Sequence, residues 1–223
     1  MEFTKLVVER ENGYVVAAIN HPPANAMAQG VLLDLNALLD QCLEDDQVRA
    51  IVITGSGEKL FSAGADITEF ANYQSGGKPQ INGNDVYNKI ERYPKPIIAA
   101  IQGGAFGGGL ELAMSCHLRF MSASAQVGLP EVKLGILPGW GGTQRLPRLI
   151  GKSKALEMTL TGDFIGAEEA LRLGLVSRVY PKEQVLDEAK KFAARLASGA
   201  PIAMRAILRA VTEGIETTIE EGI

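Results

Sequence analysis

The chain has 223 residues, of which 46% are hydrophobic and 22% charged, and its formal net charge is −4. This length and composition are typical of a globular protein with one large core. The acidic balance and the lack of a long basic stripe argue against nucleic acid as the main partner. The most apolar stretch, residues 97–101, is far too short to span a bilayer, so we expect no membrane partner.

Cysteine usage and the first residues indicate the compartment. Cys42 and Cys116 form neither a CxxC pair nor a disulfide framework, which suits a reducing environment. The opening MEFTKLVVERENG carries acidic residues and no long apolar run. It resembles neither a signal peptide nor an organellar targeting segment. We therefore expect a cytoplasmic protein.

The first half of the chain predicts strands that alternate with helices. Apolar runs bounded by turn residues predict strands at residues 5–9, 14–19, 48–54 and 96–101. Apolar side chains at helical spacing predict helices near residues 29–45 and 84–92. The polar, glycine-containing stretch 71–84 predicts a loop.

From Gly139 onward the pattern becomes mostly helical. Pro181 is expected to open one helix that Gly199 closes, and Pro201 to open another, since proline favours the start of a helix and glycine the position after its end. Strands that alternate with helices predict an α/β fold, here with a helical C-terminal part.

Several common motifs for catalysis or nucleotide binding are absent. Residues 151–153 resemble the end of a phosphate-binding P-loop, but the required upstream glycine position holds Leu146. Neither GxGxxG nor GxSxG occurs, which counts against a Rossmann site and a hydrolase nucleophile elbow. His21 and His117 lack metal-ligand spacing and are more typical of surface or capping histidines. We expect no metal and no cofactor, so carboxylates and backbone groups must carry any catalysis.

Three glycine-rich segments stand out. They are residues 61–66 (FSAGAD), 103–113 (GGAFGGGLELA) and 128–146 (GLPEVKLGILPGWGGTQRL). In the second segment a strand is followed by five glycines within residues 103–109 and then by a helix-compatible run. Glycine lets the backbone approach a ligand closely, and a helix start presents free N–H groups that stabilise negative charge.

Glu111 is predicted to lie about one turn inside this helix, near the same pocket. Taken alone, the glycines are also compatible with tight packing or turns, and Glu111 with a solvated acid at a helix start. The combination of the three segments favours a site.

Together these segments closely resemble the enoyl-CoA hydratase/isomerase (crotonase) family. The resemblance runs from HPPANAM at residues 21–27 to about residue 214, and the two glutamates Glu111 and Glu131 are 20 residues apart, as in family hydratases. It implies a β-β-α spiral core at about residues 1–198, within a single domain over residues 1–223. It also implies that residues 199–223 begin a C-terminal helical region that in the family continues further and covers the acyl pocket. A homotrimer or a dimer of trimers is expected.

The resemblance implies hydration of a trans-2-enoyl-CoA to a 3-hydroxyacyl-CoA, with coenzyme A as part of the substrate. The oxyanion hole falls on the backbone N–H groups of Ala65 and Gly108. Glu111 takes the role of base toward water and Glu131 that of acid. Gly139 is expected to help place the water. Ala24, Ala63, Asp66 and Ile67 are expected to line the CoA channel. Asp66 is equally compatible with a loop or helix-cap role.

Two questions stay open: which other activity the chain could have, and why Trp140 departs from the pattern of the family. The rivals are a Δ3-Δ2 isomerase, which needs one well-placed base, another acyl-CoA enolate chemistry such as decarboxylation or ring formation, and a non-catalytic CoA- or RNA-binding module. Having both glutamates favours hydration. Trp140 stands where small residues are common in the family, and it either narrows the acyl pocket or packs outside it.

Overall fold

The computed structural model describes residues 3–57, 59–69 and 78–223. Its strands are β1 Leu6–Glu11, β2 Tyr14–Ile19, β3 Ala50–Gly55, β4 Leu60–Ser62, β5 Ile97–Ile101, β6 Gly104–Phe106, β7 Leu118–Ser122, β8 Gln126–Gly128, β9 Phe164–Gly166 and β10 Arg178–Tyr180. Its helices are α1 Gln29–Glu44, α2 Gly83–Glu91, α3 Gly108–Ser115, α4 Gly142–Ile150, α5 Lys152–Thr161, α6 Ala167–Arg172, α7 Val185–Ala197, α8 Pro201–Gly214 and α9 Ile219–Gly222. Two 3₁₀ helices span Pro130–Leu134 and Lys182–Gln184.

The strands form two sheets that the chain visits alternately. The larger sheet has the order β1-β2-β3-β5-β7-β10, and the smaller one β4-β6-β8-β9. The strands pair in parallel except for β1 with β2 and β8 with β9. Each of β3, β5 and β7 is followed by a strand of the smaller sheet, and β6 and β8 lead directly toward a helix. This repeat is the predicted β-β-α spiral, so the expected fold class is confirmed.

The central strands of the larger sheet are buried on both faces. In β3, Ile51 and Ile53 belong to the main core, whereas Ala50 and Val52 face a second cluster. Alternate residues of a strand point to opposite faces, so a strand covered on both sides is apolar throughout. The second cluster is closed by α7, whose Val185, Ala189 and Ala193 are fully buried. This packing explains the continuous apolar runs in the sequence.

Most predicted elements are confirmed, and the differences have local causes. The helix expected from Pro181 to Gly199 is shorter, because a 3₁₀ turn at Lys182–Gln184 precedes it and it ends at Ala197. The strand expected from residue 48 begins at Ala50, because the N–H of Val48 donates to the carbonyl of Asp45 in the preceding turn. The strands β4, β6, β8, β9 and β10, of three residues each, and β7, of five residues, were not predicted. Three residues are too few to show a period, and in β7 the buried Arg119 interrupts the apolar run.

Two predictions concern segments near the cavity and the C-terminus. Of the predicted loop 71–84, residues 71–77 lie outside the described residues, and α2 already begins at Gly83. After residue 200 the chain is helical as expected, but α8 and α9 contain no buried residue. In the described ranges, no helix combines the length and apolar character needed to cross a membrane.

A buried arginine fixes the far end of the helix that carries Glu111. The guanidinium of Arg119, in β7, donates to the carbonyls of Ala113, Met114 and Cys116 at the end of α3. Its Nε donates to the carbonyl of Leu175 (2.7 Å). The last carbonyls of a helix have no intrahelical partner, so this side chain satisfies groups that burial would otherwise leave unpaired.

We expect Arg119→Met to lower the free energy of unfolding by about 3 kcal/mol, since charged hydrogen bonds are lost and buried carbonyls are left unpaired. Denaturant unfolding followed by circular dichroism measures the loss. The matched control is Arg209→Met, which removes an exposed arginine paired with Glu213 and should leave the unfolding midpoint nearly unchanged. Equal midpoints for both variants would show that Arg119 does not stabilise this helix end.

Candidate active site

Three parallel strands of the smaller sheet end beside one another. β4 pairs with β6 and β6 with β8, all in parallel. The chain continues from β4 into residues 63–65, from β6 into residues 107–111 and from β8 into residues 129–131. The carboxyl ends of parallel strands lie on the same edge of a sheet, which is where open α/β sheets bind ligands. The three glycine-rich segments therefore meet at one place, as the sequence predicted.

The meeting point is a cavity of about 490 Å³. A β carbon added to Gly108 would lie 3.2 Å from the nitrogen of Ala65, so the first and second segments are in contact. One added to Gly107 would lie 2.9 Å from Oε1 of Glu131, so the third segment is equally close. Gly107 also has a φ of 51°, which favours glycine at this point of closest approach. The lining comprises Gln29, Ala63, Gly64, Ala65, Ile67, Pro79, Ile81, Asn82, Gly83, Gly107, Gly108, Glu111, Pro130, Glu131, Leu134, Ile136, Leu137, Gly139 and Trp140.

Glu111 is a buried carboxylate held by the backbone. Only 2% of the surface of Glu111 is exposed, so this residue is not a solvated acid at a helix start. Its Oε1 accepts hydrogen bonds from the N–H groups of Trp140 (2.8 Å) and Gly142 (2.7 Å). Burial raises the pKa of Glu111 to about 7, with Glu131 adding to the rise and the two backbone N–H groups opposing it. The carboxyl is thus oriented and able to exchange a proton near neutral pH.

Glu131 differs in its surroundings. It lies in the 3₁₀ helix Pro130–Leu134, is 9% exposed, and burial raises the pKa of its carboxyl above the usual range. Its Oε2 is buried and has no hydrogen-bond partner among the residues that the structure describes. A buried polar atom without a partner is costly. Glu131 thus lines the same cavity as Glu111, and one of its two carboxylate oxygens has no partner among the described residues.

Two backbone N–H groups at the cavity are available to a ligand. Ala65 and Gly108 both line the cavity, and within the described ranges the N–H of neither meets an acceptor. For Gly108 the reason is its place as the first residue of α3, where N–H groups have no intrahelical partner. The dipole of the helix adds positive potential at this end. This arrangement can stabilise negative charge on an oxygen placed between the two groups.

The remaining predicted site residues divide into two groups. Ala63, Ile67 and Gly139 line the cavity, whereas Ala24 and Asp66 are not part of its lining. The carbonyl of Ala24 accepts from the N–H of Ala63 (3.0 Å), so Ala24 supports the segment from behind. The Asp66 carboxylate accepts from the N–H (3.0 Å) and the hydroxyl (2.6 Å) of Thr68, which is a capping role. The side chain of Asp66 therefore makes the contacts of a loop or helix cap and does not line the cavity.

The sequence did not reveal how the turn after the 3₁₀ helix holds Glu111. Nothing in the spacing of Trp140 and Gly142 shows that their N–H groups meet a carboxylate about 30 residues earlier. The guanidinium of Arg145 holds the same turn from the other side by donating to the carbonyl of Trp140 (3.0 Å). It is anchored by Asn88 and Glu91 of α2 (2.8 Å each). The clustered glycines of residues 139–142 were the one available signal.

Comparison with known proteins agrees with this architecture. The family model for enoyl-CoA hydratase/isomerase matches residues 9–223. The chain is 41% identical to the short-chain-enoyl-CoA hydratase of Clostridium acetobutylicum, an alignment that covers 100% of this chain and 87% of the relative. It is 42% identical to the crotonyl-CoA hydratase of Syntrophomonas wolfei, again with 100% and 87% coverage.

A solved structure has the same fold as this chain. The crystal structure of an enoyl-CoA hydratase from Bacillus anthracis superposes with a TM-score of 0.90 at 37% identity. The match covers 98% of this chain and 86% of that one. The family model spans nearly the whole chain, and the sequence relatives are well above 30% identical over all of it. This chain therefore belongs to the enoyl-CoA hydratase/isomerase family.

Proposed function

We propose that this protein hydrates trans-2-enoyl-CoA thioesters to 3-hydroxyacyl-CoA. One observation carries the proposal: two buried carboxylates with raised pKa values, Glu111 and Glu131, share a cavity with two backbone N–H groups that have no acceptor among the described residues. Relatives named as hydratases of short-chain enoyl-CoA and crotonyl-CoA, aligned over the whole chain, support the substrate class. A glyoxysomal fatty acid beta-oxidation multifunctional protein of Cucumis sativus is also among the relatives, which supports a role in acyl-CoA metabolism.

The oxyanion hole is the first element of the mechanism. The thioester carbonyl oxygen accepts hydrogen bonds from the N–H groups of Ala65 and Gly108. When water attacks carbon 3 of the enoyl group, the electron pair of the double bond moves toward the thioester and negative charge builds on that oxygen. A preorganised backbone donor at such a point lowers the barrier by about 3 kcal/mol. The start of α3 supplies one of these donors.

The two glutamates move the protons of the water. Glu111, ionised, removes a proton from the water as its oxygen bonds to carbon 3, and the N–H groups of Trp140 and Gly142 hold the carboxylate in place. Glu131, protonated, delivers a proton to carbon 2 as the enolate collapses. The product gains a hydroxyl at carbon 3 and a hydrogen at carbon 2. Glu111 ends protonated and Glu131 ionised, so a proton must return through solvent before the next turnover.

This mechanism uses groups of the chain itself and needs no metal or cofactor; coenzyme A enters as part of the substrate. Ala63 and Ile67, at the cavity, are assigned to the CoA channel, and Gly139 to placement of the water. Ala24 contributes indirectly, because its carbonyl holds the N–H of Ala63. The main chain of Asp66 remains a proposed CoA contact, and its N–H is engaged with the carbonyl of Met27 (3.3 Å).

The expected homotrimer or dimer of trimers and the cytoplasmic location stay predictions. Large apolar side chains on the last two helices and the segment between them are exposed and suit burial in an assembly. They are Ile202, Ile207, Val211, Ile215 and Ile219.

The decisive assay follows the loss of absorbance of crotonyl-CoA on addition of purified protein. Hydration consumes the conjugated double bond, so the absorbance must fall. A double-bond isomerase would instead convert a trans-3-enoyl-CoA and leave crotonyl-CoA unchanged. A non-catalytic CoA-binding module would bind the thioester without turnover. An absorbance that stays constant at high protein concentration would overturn the proposal.

Removing either carboxylate tests the assignment of roles. We expect Glu111→Gln and Glu131→Gln each to lower turnover of crotonyl-CoA at least about 100-fold, the low end for general acid–base catalysis, while binding of CoA esters survives. Steady-state kinetics and calorimetric titration measure the two effects. Glu157→Gln, which changes an exposed glutamate on α5, is the control and should match the native rate. Near-native turnover in either test variant would mean that the glutamate concerned is misassigned.

The pH dependence follows from the raised pKa of Glu111. The base must be ionised, so turnover should fall as the pH drops below about 7, where its carboxyl takes up a proton. Turnover of crotonyl-CoA measured from pH 5 to pH 9 tests this pH dependence.

Protein stability identifies the group that titrates. A folded-state pKa raised above the unfolded value makes a contribution to stability that is present at acid pH and lost as the pH rises through about 7. Glutamine does not titrate, so it avoids the loss of stability that ionised Glu111 causes. The thermal midpoint of Glu111→Gln minus that of the native protein should therefore be higher at pH 8 than at pH 4. A difference that does not vary with pH would contradict the raised pKa of Glu111.

The N–H of Gly108 can be tested separately from the space around it. Proline is tolerated at the first position of a helix but removes the N–H. A β carbon at this position would also lie 2.7 Å from Cζ3 of Trp140, so the substitution is best made in a Trp140→Ala background. There, Gly108→Pro should lose about 100-fold in turnover relative to Gly108→Ala, which places a β carbon at the same point, 3.2 Å from the nitrogen of Ala65, but keeps the N–H. A folded Gly108→Pro variant, judged by circular dichroism, that turns over like its parent would rule out the oxyanion role.

A further inference from the structure

Trp140 is held at the cavity by its own main chain. Its N–H donates to the carboxylate of Glu111 (2.8 Å), and its carbonyl accepts from Arg145 (3.0 Å). The peptide groups on both sides of the α carbon are therefore fixed. The indole extends from this anchored point and forms part of the cavity lining. Of the two interpretations left open by the sequence, this favours a ring in the pocket over one outside it.

The indole is seated between two glycines. A β carbon at Gly83 would lie 2.6 Å from Cε2 of the ring, and one at Gly108 would lie 2.7 Å from Cζ3. Real β carbons essentially never come so close, so the absence of side chains at both positions provides the space for the ring. Gly83 begins α2 and Gly108 begins α3, and both line the cavity. The ring thus spans from one helix start to the other.

A buried tyrosine, Tyr87, closes the cavity behind the indole ring. Trp140 packs edge-to-face on Tyr87, with 5.6 Å between ring centroids and an interplanar angle of 83°. Tyr87 is fully buried, and its hydroxyl donates to the carbonyl of Gly108 (2.8 Å). Among the residues that the structure describes, the cavity is open where Ile67, Leu134 and Leu137 line it, because each of them is more than 60% exposed. Trp140 therefore forms the inner wall and these three residues the mouth.

We propose that Trp140 is a specificity-determining residue that restricts the acyl group to short chains. The inference rests on the proposed function, in which the thioester oxygen binds Ala65 and Gly108 and carbons 2 and 3 lie at the two glutamates. The indole touches Gly108 and is attached to the peptide that holds Glu111, so it stands directly beyond the reacting carbons. Carbon atoms added after carbon 4 run against the ring.

Substrate preference gives the first test. The measured quantity is kcat/KM for an eight-carbon trans-2-enoyl-CoA divided by that for crotonyl-CoA. One methylene in an apolar pocket changes kcat/KM by roughly 10-fold or more, so Trp140→Ala should raise this ratio by at least about 10-fold. Trp140→Phe, with a smaller ring, should give an intermediate ratio. Both variants keep the backbone N–H that binds Glu111.

Leu137→Ala is the matched control, since it shortens an apolar side chain of the same cavity on its exposed side. Its ratio should stay close to native. An unchanged ratio in Trp140→Ala, or an equal rise in Leu137→Ala, would overturn the inference. Failure of the proposed function would look different, because native protein would then not consume crotonyl-CoA at all.

A second measurement does not depend on turnover. Trp140 is the single tryptophan of the chain, so its fluorescence reports directly on this wall. Saturated butyryl-CoA, which cannot be hydrated, should change the tryptophan emission on binding, and octanoyl-CoA should bind at least about 10-fold more weakly than butyryl-CoA. In Trp140→Ala, calorimetry should show that this preference is lost. Binding of butyryl-CoA with no change in emission, or equal affinities for both ligands in the native protein, would place the acyl group elsewhere.

Discussion

The site depends on the parallel pairing of β4, β6 and β8. Each of these strands has only three residues, yet their parallel pairing sends three separate segments to the same edge of the smaller sheet. The backbone donors and both carboxylates come from the residues that follow these strands. The larger sheet and α7 provide the buried support, and the guanidinium of Arg119 fixes the far end of α3. The spiral order of the chain is what makes this convergence possible.

One turn links the environment of Glu111 with the size of the cavity. Residues 139–142 supply the two N–H groups that orient Glu111, and the same turn carries the indole that closes the cavity. Arg145 holds the turn from behind through the carbonyl of Trp140 and ties it to Glu91 of α2. A change in this turn would therefore alter both the orientation of Glu111, the proposed base, and the space inside the cavity. Glu111 gains its intermediate acidity here, where burial opposes ionisation and the backbone donors favour it.

The elements with a clear period could be predicted from the sequence. The amphipathic spacing predicted α1, found at Gln29–Glu44, and the apolar runs predicted β2 and β5 with at most one residue of error. The run GGLELAMS was expected to start a helix and is α3. By contrast, the short strands of the smaller sheet escaped prediction. Three residues carry no recognisable alternation, and their pairing depends on neighbours far away in the chain.

The sequence by itself determined the α/β class, the three glycine-rich segments and the candidate glutamates, because these follow from local composition and from a strong family resemblance. Only the tertiary structure decided the environments that give those residues their chemistry. The burial of Glu111, the lack of a partner for one Glu131 oxygen among the described residues, and the capping role of Asp66 each depend on which atoms surround a side chain. The same holds for Trp140, whose place in the pocket requires glycines at positions 83 and 108 together. Such contacts join residues far apart in the chain, so no local pattern in the sequence contains them.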